Sequence, residues 1–152
     1  MLLTDLITPA RIRLPVEAQD KPGVIRELAT VLVAQCGGVY DDVLQSIEDR
    51  ERVLTTGIGF GVAIPHGKSP TLPALGLVCG VSPHPIPFDS VDGAPVRLFF
   101  MLAGPESSAG PHVKVLSRIA RLVRREAIRD QLMAAATPAD FQRVVREAET
   151  WQ

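Results

Sequence analysis

Apolar residues near the start of the chain recur at helical spacing. The stretch through Glu17 mixes short apolar pieces with prolines, and it predicts a short helix or turn followed by an extended segment. Asp20 then resembles a helix N-cap with Pro22 in the first turn. Gly37-Gly38 ends the predicted helix, because glycine commonly closes a helix. The apolar positions of this helix are Ile25, Leu28, Ala29 and Leu32.

The middle of the chain changes from helical to strand-like patterning. A second helix is predicted from Asp41 or Asp42 through residue 51. Residues 55–68 are dense in glycine and small side chains, which predicts a loop or short strand with unusual backbone angles. Residues 75–81 and 96–102 are apolar runs bounded by turn residues, so we expect buried strands there. Residues 82–87 are rich in proline and predict a connection.

Helical patterning returns in the last third of the chain. Pro111 fits the first position of a helix with Gly110 at its cap. A further helix is expected around residues 128–135, and Thr137 begins a last one with a sequence that resembles a capping box. Helices interleaved with apolar strands predict a layered domain of the α/β or α+β class.

Composition and charge exclude several classes of protein. The chain has 152 residues, with 16 Lys and Arg against 17 Asp and Glu, and its hydrophobic fraction is 46%. This length predicts a single domain, and the near-neutral charge argues against a nucleic-acid binder. No apolar run reaches the roughly 20 residues of a membrane span, and we expect no secretory signal. The isolated Cys36 and Cys79 predict reduced thiols of a cytosolic protein.

His66 is the first candidate for chemistry. It follows Pro65 and precedes Gly67, after a run with three more glycines that leave backbone N–H groups open to a ligand. A histidine on such a turn can present an unprotonated ring nitrogen, which is able to attack phosphorus. The alternative is a surface-loop histidine without a role.

His112 and Arg50 are the next candidates. At 100° per residue, His112 shares a helix face with Leu116 and Ile119, in the first turn where N–H groups favour an anion. The alternative is a half-buried histidine with a structural hydrogen bond. Arg50 could grip phosphoryl oxygens, but it lies in a charge run where composition does not separate it from Arg52.

The sequence gives little support for a zinc site or a nucleotide-binding site. The three histidines and two cysteines show no zinc-ligand spacing, and His84 between two prolines suggests a structural residue. Gly57, Gly59 and Gly61 do not complete a dinucleotide-binding pattern, because residue 62 is Val. We expect neither a metal nor a nucleotide cofactor.

A longer motif includes the candidate residues. Its parts are Arg50-Glu51, then Thr56-Gly57-Ile58-Gly59-x-Gly61-Val62-Ala63-Ile64-Pro65-His66-Gly67-Lys68, then Phe88-Asp89-x-x-Asp92-Gly93-x-Pro95-Val96, then residues 98–102 and His112. This motif resembles that of the EIIA domain of the bacterial phosphotransferase system, of the mannitol/fructose type that includes the nitrogen-related EIIA proteins. The N-terminal run Leu3-Thr4-Asp5-Leu6-Ile7-Thr8-Pro9 also resembles nitrogen-type members. The resemblance therefore covers nearly the whole chain.

The resemblance implies one EIIA domain over residues 1–152, with a mixed sheet of about five strands flanked by helices. It implies that His66 is phosphorylated by HPr or its nitrogen-type paralogue, as one component of an enzyme relay. His112 and Arg50 would support His66, and Thr56 and Gly67 would help to bind the phosphoryl group. One departure is Phe60, where the family often has Asn.

The resemblance leaves three roles open. The first is a cytoplasmic regulatory EIIA of the nitrogen type, whose phosphorylation state modulates partner proteins. The second is a sugar-uptake EIIA that passes the phosphoryl group to a separate EIIB. The third is a docking module that is not phosphorylated. In each case we expect an apolar rim around His66 as the partner surface, with Phe60 and Ile64 as candidates, although Ile64 could equally belong to the core.

Overall fold

One mixed sheet with helices on both faces forms the fold in the computed structural model, which describes residues 2–150. Within those residues the sheet has six strands and five α-helices accompany it. The expected α/β class and the mixed sheet are confirmed, with one strand more than the sequence indicated. The strands are β1 (Ile12–Arg13), β2 (Gly57–Gly59), β3 (Val62–Ala63), β4 (His66–Lys68), β5 (Gly76–Ile86) and β6 (Val96–Gly104). The helices are α1 (Lys21–Cys36), α2 (Tyr40–Val53), α3 (Ala109–Val123), α4 (Glu126–Ala134) and α5 (Pro138–Thr150).

Strand β6 organises the sheet, whose order is β1-β5-β6-β3-β2. On one side it pairs antiparallel with β5, and on the other it pairs parallel with β3 and then with β4. In the second of these parallel pairs His66 lies opposite Leu102 and Lys68 lies opposite Gly104. The glycine-rich segment therefore runs alongside β6, and His66 lies beside the last residues of that strand, just before the chain turns toward α3.

Alternating side chains of β6 supply two cores. Phe99, Met101 and Ala103 pack into the core under α1 and α2. Leu98, Phe100 and Leu102 pack into the core under α3, α4 and α5. Burial on both faces explains why residues 96–102 read as a continuous apolar run rather than an alternating one.

Several predicted elements are confirmed with their end signals. The carboxylate of Asp20 accepts a hydrogen bond from the Gly23 N–H at 2.8 Å and caps α1. The hydroxyl of Thr137 accepts one from the Asp140 N–H at 3.1 Å, at the start of α5. Helix α2 begins at Tyr40, slightly earlier than expected.

Two predictions of local structure are wrong. The proline-rich residues 82–87 do not form a connection, because β5 continues to Ile86, which pairs with Val96. The register shifts between Val81 and Ile86, so the two intervening prolines fall where they break no regular ladder. Helix α3 begins at Ala109 with Ser108 as its N-cap residue, which moves Pro111 into the third helical position.

Both cysteines are free thiols. Cys79 is buried in the sheet, where desolvation raises the pKa of its thiol, and Cys36 is half-buried at the end of α1. Among residues 2–150, no helix has both the length and the apolar content that crossing a bilayer would require. The same residues contain no group of three or more His, Cys, Asp or Glu side chains suited to a metal ion.

Candidate functional site

His66 and His112 face each other across a surface cavity. Their ring centroids are 5.6 Å apart and the ring planes meet at 70°. His66 opens β4, beside the end of β6, and the chain leaving β6 returns within a short turn to begin α3. The structure therefore places both candidate histidines in one site. The cavity, about 570 Å³, is called the His66 cavity below; it is lined by Ser46, Asp49, Arg50, His66, Gly67, Lys68, His112 and Leu116.

A backbone carbonyl fixes the His66 ring. Nδ1 of His66 lies 2.9 Å from the carbonyl oxygen of Ile64. A carbonyl only accepts hydrogen bonds, so Nδ1 carries the proton and Nε2 keeps a free electron pair. Burial lowers the pKa of His66, and the positive charge of Arg50 adds to that effect, while the bond to Ile64 opposes it. His66 is thus a neutral imidazole at neutral pH with Nε2 as its nucleophilic atom.

His112 is buried in the first turns of α3. Desolvation lowers the pKa of His112 to about 4, and the neighbouring charges of His66 and Lys68 act in the same direction. The side chain is therefore neutral at pH 7. It can donate or accept a hydrogen bond in the His66 cavity, but it brings no fixed positive charge there before an anion arrives.

Fixed positive charge comes from two other side chains. Arg50 is half-buried, and its Nη1 donates to the carbonyl oxygen of Leu54 at 2.8 Å. Lys68 is exposed and forms an ion pair with Glu106 at 3.5 Å. No role for Lys68 is predicted from the sequence. The two-residue period of a strand places residues 66 and 68 on the same side of β4, so the spacing from His66 is the signal that could have identified Lys68.

Gly67 allows a helix to approach β4 closely. A Cβ atom at this position would lie 2.6 Å from Ser46 Oγ and 2.9 Å from Ile47 N of α2. Any larger residue would push α2 away from the strand, and Arg50 lies on that helix. The glycine is therefore required for packing, whatever its N–H group does for a ligand.

Thr56 lies outside the cavity. Its N–H donates to Glu51 Oε2 at 2.7 Å and its hydroxyl to Glu51 Oε1 at 2.5 Å. Both residues are buried, and Lys21 Nζ lies 3.1 Å from the Glu51 carboxylate. Glu51 belongs to the motif, but the sequence predicts no function for it. Thr56 instead lines a neighbouring groove of about 370 Å³, the apolar groove; its other lining residues are Arg50, Leu54, Thr55, Gly57, Ile58, Ile64, His66, Val91, Leu116 and Ala120.

The turn between β2 and β3 has the unusual backbone angles that the sequence indicated. Gly59, Phe60 and Gly61 all have positive φ, and that of Phe60 is 59°. The Phe60 N–H donates to the Asp92 carboxylate at 3.0 Å, and the Arg129 guanidinium lies 4.7 Å from the ring centroid. Phe60 is 67% exposed, whereas Ile64 is buried in the core. Of the two rim candidates, Phe60 is the one with a large exposed apolar surface.

Comparison with known proteins gives a consistent result. The family described as "Phosphoenolpyruvate-dependent sugar phosphotransferase system, EIIA 2" matches residues 5–148. The chain is 38% identical over 135 residues to a nitrogen regulatory protein of Bradyrhizobium diazoefficiens, covering 89% of this chain and 88% of the relative. It is also 38% identical over 137 residues to a fructose-specific EIIABC component of Bacillus subtilis, covering 89% of this chain but 21% of that protein.

Solved structures have the same fold. Nitrogen regulatory protein IIA-Ntr from Neisseria meningitidis superposes with a TM-score of 0.89 at 29% identity, covering 94% of this chain and 98% of the other. IIA mannitol from Escherichia coli superposes with a TM-score of 0.80 at 22% identity, covering 91% and 98%. At that identity the second comparison supports the fold alone.

Proposed function

Because the chain belongs to the EIIA 2 family of the phosphoenolpyruvate-dependent sugar phosphotransferase system, we propose that it carries a phosphoryl group on Nε2 of His66. The donor in this proposal is the phosphohistidine of HPr or of its nitrogen-type paralogue. The proposal takes residues 1–152 as one EIIA domain. The main support for phosphorylation of Nε2 is the hydrogen bond between His66 Nδ1 and the Ile64 carbonyl, because this bond leaves Nε2 as the nucleophile of the cavity.

The chemistry needs little beyond position and charge. As the Nε2–P bond of His66 forms, the P–N bond to the donor histidine breaks, and the phosphoryl group passes through a loose transition state with charge on three oxygens. Arg50 and Lys68 line the cavity and offset that charge. The ring of His66 becomes positive on phosphorylation, and the Ile64 carbonyl at Nδ1 stabilises that charge.

His112 responds to the incoming charge in this proposal. It is neutral in the free protein because burial lowers its pKa. A phosphoryl dianion beside it favours the protonated form, so the pKa of His112 rises when His66 is phosphorylated. The side chain then donates a charge-assisted hydrogen bond to a phosphoryl oxygen.

Exposed apolar side chains supply the surface on which the donor docks. Leu54, Ile58 and Val91 border the apolar groove beside His66 and are all exposed. Phe60 extends this surface on the β2–β3 turn. Apolar patches of this kind mark protein–protein contacts, and a donor seated there brings its phosphohistidine to the cavity.

The cellular role that we propose is regulatory. The relative from Bradyrhizobium diazoefficiens is named a nitrogen regulatory protein, and it matches this chain along most of both lengths. A cytoplasmic location suits the free thiols of Cys36 and Cys79. The second candidate is sugar uptake, favoured by the similar match to a fructose-specific component. In that role the phosphoryl group moves on to an EIIB domain.

Intact-mass measurement tests the carrier function directly. The protein is incubated with phosphoenolpyruvate, enzyme I and an HPr-type donor, beside His66→Ala and His84→Ala variants. We expect one acid-labile phosphoryl group on the wild type and on His84→Ala, since His84 is exposed and lies outside the cavity. We expect none on His66→Ala. A wild type that gains no mass with several donors would favour the docking-module alternative.

A second incubation separates the two roles. Phosphorylated protein is mixed with a purified fructose-type EIIB domain and its mass is followed with time. Rapid loss of the phosphoryl group to EIIB supports uptake. Retention of the group, with binding to other proteins that depends on phosphorylation, supports regulation.

A further inference from the structure

Glu51 is a buried carboxylate that the proposed transfer does not use. It does not line the His66 cavity, and it is 8% exposed. Its two oxygens accept the N–H and the hydroxyl of Thr56, and Lys21 Nζ lies 3.1 Å away. Burying a charge is costly unless it is paired and hydrogen-bonded, and this one has a partner at each oxygen. Such an arrangement fixes the position of Thr56.

Thr56 is joined to His66 through the backbone. The carbonyl oxygen of Thr56 accepts the N–H of Ile64 at 3.0 Å. The carbonyl oxygen of Ile64 in turn faces Nδ1 of His66 at 2.9 Å. Three consecutive hydrogen-bonded links therefore connect the Glu51 carboxylate to the ring that we propose as the phosphoryl acceptor.

We propose that Glu51 is a positioning residue for His66. By holding Thr56, it holds the peptide of Ile64 against Nδ1, which keeps the proton on Nδ1 and leaves Nε2 as the nucleophile. This inference rests on the proposed function for its kinetic consequence, but its effect on the ring is independent of any phosphoryl donor.

A side chain without acceptor atoms cannot replace this carboxylate. Leucine is similar in size, but it leaves the N–H and the hydroxyl of Thr56 without an acceptor. Thr56 and the Ile64 peptide then lose their fixed position, and His66 gains access to the tautomer with its proton on Nε2. That tautomer has no free electron pair at the atom that attacks phosphorus. Glutamine is unsuitable for a test, because its oxygen can accept the Thr56 N–H while its NH₂ group donates to the Thr56 hydroxyl.

Glu149 provides a matched control. It too is a buried glutamate, 7% exposed, and its carboxylate accepts backbone N–H groups from Leu3 at 2.6 Å and Thr4 at 3.2 Å. It lies in α5 and contacts the N-terminal turn, apart from the residues that line the cavity. Glu149→Leu therefore removes a comparable set of interactions without touching the chain from Thr56 to His66.

The test compares Glu51→Leu with Glu149→Leu by two measurements. Nitrogen-15 NMR of the imidazole reports the His66 tautomer without any donor, and transfer kinetics with phosphorylated HPr-type donor give kcat and KM separately. For Glu51→Leu we expect a measurable Nε2–H population and a kcat lower by about tenfold to a hundredfold, with KM within about twofold. For Glu149→Leu we expect a wild-type tautomer and kcat, even if its melting temperature falls.

The outcomes of these measurements are distinguishable. A folded Glu51→Leu protein with the wild-type tautomer and kcat overturns the inference. If that variant does not fold, Thr56→Val takes its place, since it removes the hydroxyl bond and keeps the N–H bond to Glu51; we expect a smaller Nε2–H population there, and a wild-type tautomer with a wild-type kcat overturns the inference. A wild type that is not phosphorylated on His66, together with a tautomer change in Glu51→Leu, refutes the proposed function but supports the positioning role.

Discussion

Arg50 and Arg52 are two positions apart on α2, yet their guanidinium groups belong to different surroundings. Arg50 lines the His66 cavity and donates to the carbonyl oxygen of Leu54. Arg52 is exposed, donates to Asp49 at 2.5 Å, and lines a separate groove with Lys21 and Glu48. The helical turn of about 100° per residue separates two side chains that the charge run alone leaves equivalent.

This separation predicts different effects of the same substitution. Arg50→Lys keeps the charge but loses the planar fork that binds phosphoryl oxygens in a bidentate manner, so we expect transfer from the donor to slow by about tenfold to a hundredfold. Arg52→Lys should leave the rate within about twofold. Quenched-flow assays with phosphorylated donor measure the transfer rates of both variants. Equal rates for the two variants would contradict the assignment of Arg50 to the site.

Acid should destabilise the protein through His112. The pKa of His112 is about 4 when folded and has its ordinary value of 6.5 when unfolded. Above pH 6.5 neither state holds the proton, so the group has no effect. As pH falls from 6.5 toward 4, the unfolded state gains a proton that the folded state does not, and stability is lost.

Urea unfolding at several pH values measures this effect. Between pH 7.5 and pH 5 we expect His112 to account for a loss of about 2 kcal/mol. The lowered pKa of His66 acts in the same direction. His112→Gln should flatten the curve over this range. A variant that loses as much stability as the wild type would show that His112 titrates normally in the folded protein.

Gly67→Ala should damage both stability and transfer. The added Cβ would meet the backbone of α2 at 2.9 Å, so strand and helix must move apart. We expect a loss of about 1–3 kcal/mol and a slower transfer, because Arg50 moves with α2. Gly110→Ala is the control, since a Cβ there meets nothing within 4 Å and the residue is helical. It should be neutral or slightly stabilising by urea denaturation.

Phe60→Asn should relieve backbone strain. A left-handed conformation costs a non-glycine residue roughly 1–2 kcal/mol, and asparagine tolerates it better than phenylalanine does. The substitution also removes the contact between the Phe60 ring and Arg129, worth about 0.5–1 kcal/mol at an exposed site. We therefore expect little net change in the wild type and a gain of about 1 kcal/mol in an Arg129→Met background.

Urea denaturation and transfer kinetics both test this prediction. A double-mutant cycle of Phe60→Asn and Arg129→Met isolates the ring contact from the backbone term. Because Phe60 is exposed beside the docking surface, Phe60→Asn should also raise the KM for the donor. A KM equal to that of the wild type would exclude Phe60 from the contact.

Local signals in the sequence accounted for much of the fold. The Asp20 cap and the following apolar spacing predicted α1, since a capped amphipathic helix is specified by its own residues. The uninterrupted apolar runs predicted the buried parts of β5 and β6. The glycine-rich segment predicted unusual backbone angles, which the structure shows at Phe60 and its neighbours.

Features that depend on distant pairing could not be predicted. Nothing local indicates that β4 runs parallel to β6, and this pairing is what brings His66 beside α3. The prolines between Val81 and Ile86 are typical of a connection, but a register shift accommodates them within β5. The contact between Thr56 and Glu51 joins a loop to the face of a helix, and no local pattern indicates it.

The pairing of His66 with Leu102 places the proposed acceptor on backbone that belongs to the sheet itself. The Leu102 N–H donates to the carbonyl oxygen of Pro65, and Leu102 is fully buried. Opening that bond requires separating β4 from the central strand, so the Leu102 amide should exchange with solvent only during global unfolding. The Phe60 amide, bound to Asp92 in an exposed turn, should exchange by local fluctuation. The backbone that holds His66 is therefore ordered before any donor binds. Conformational change on binding is confined to the exposed turn at Phe60 and to the partner.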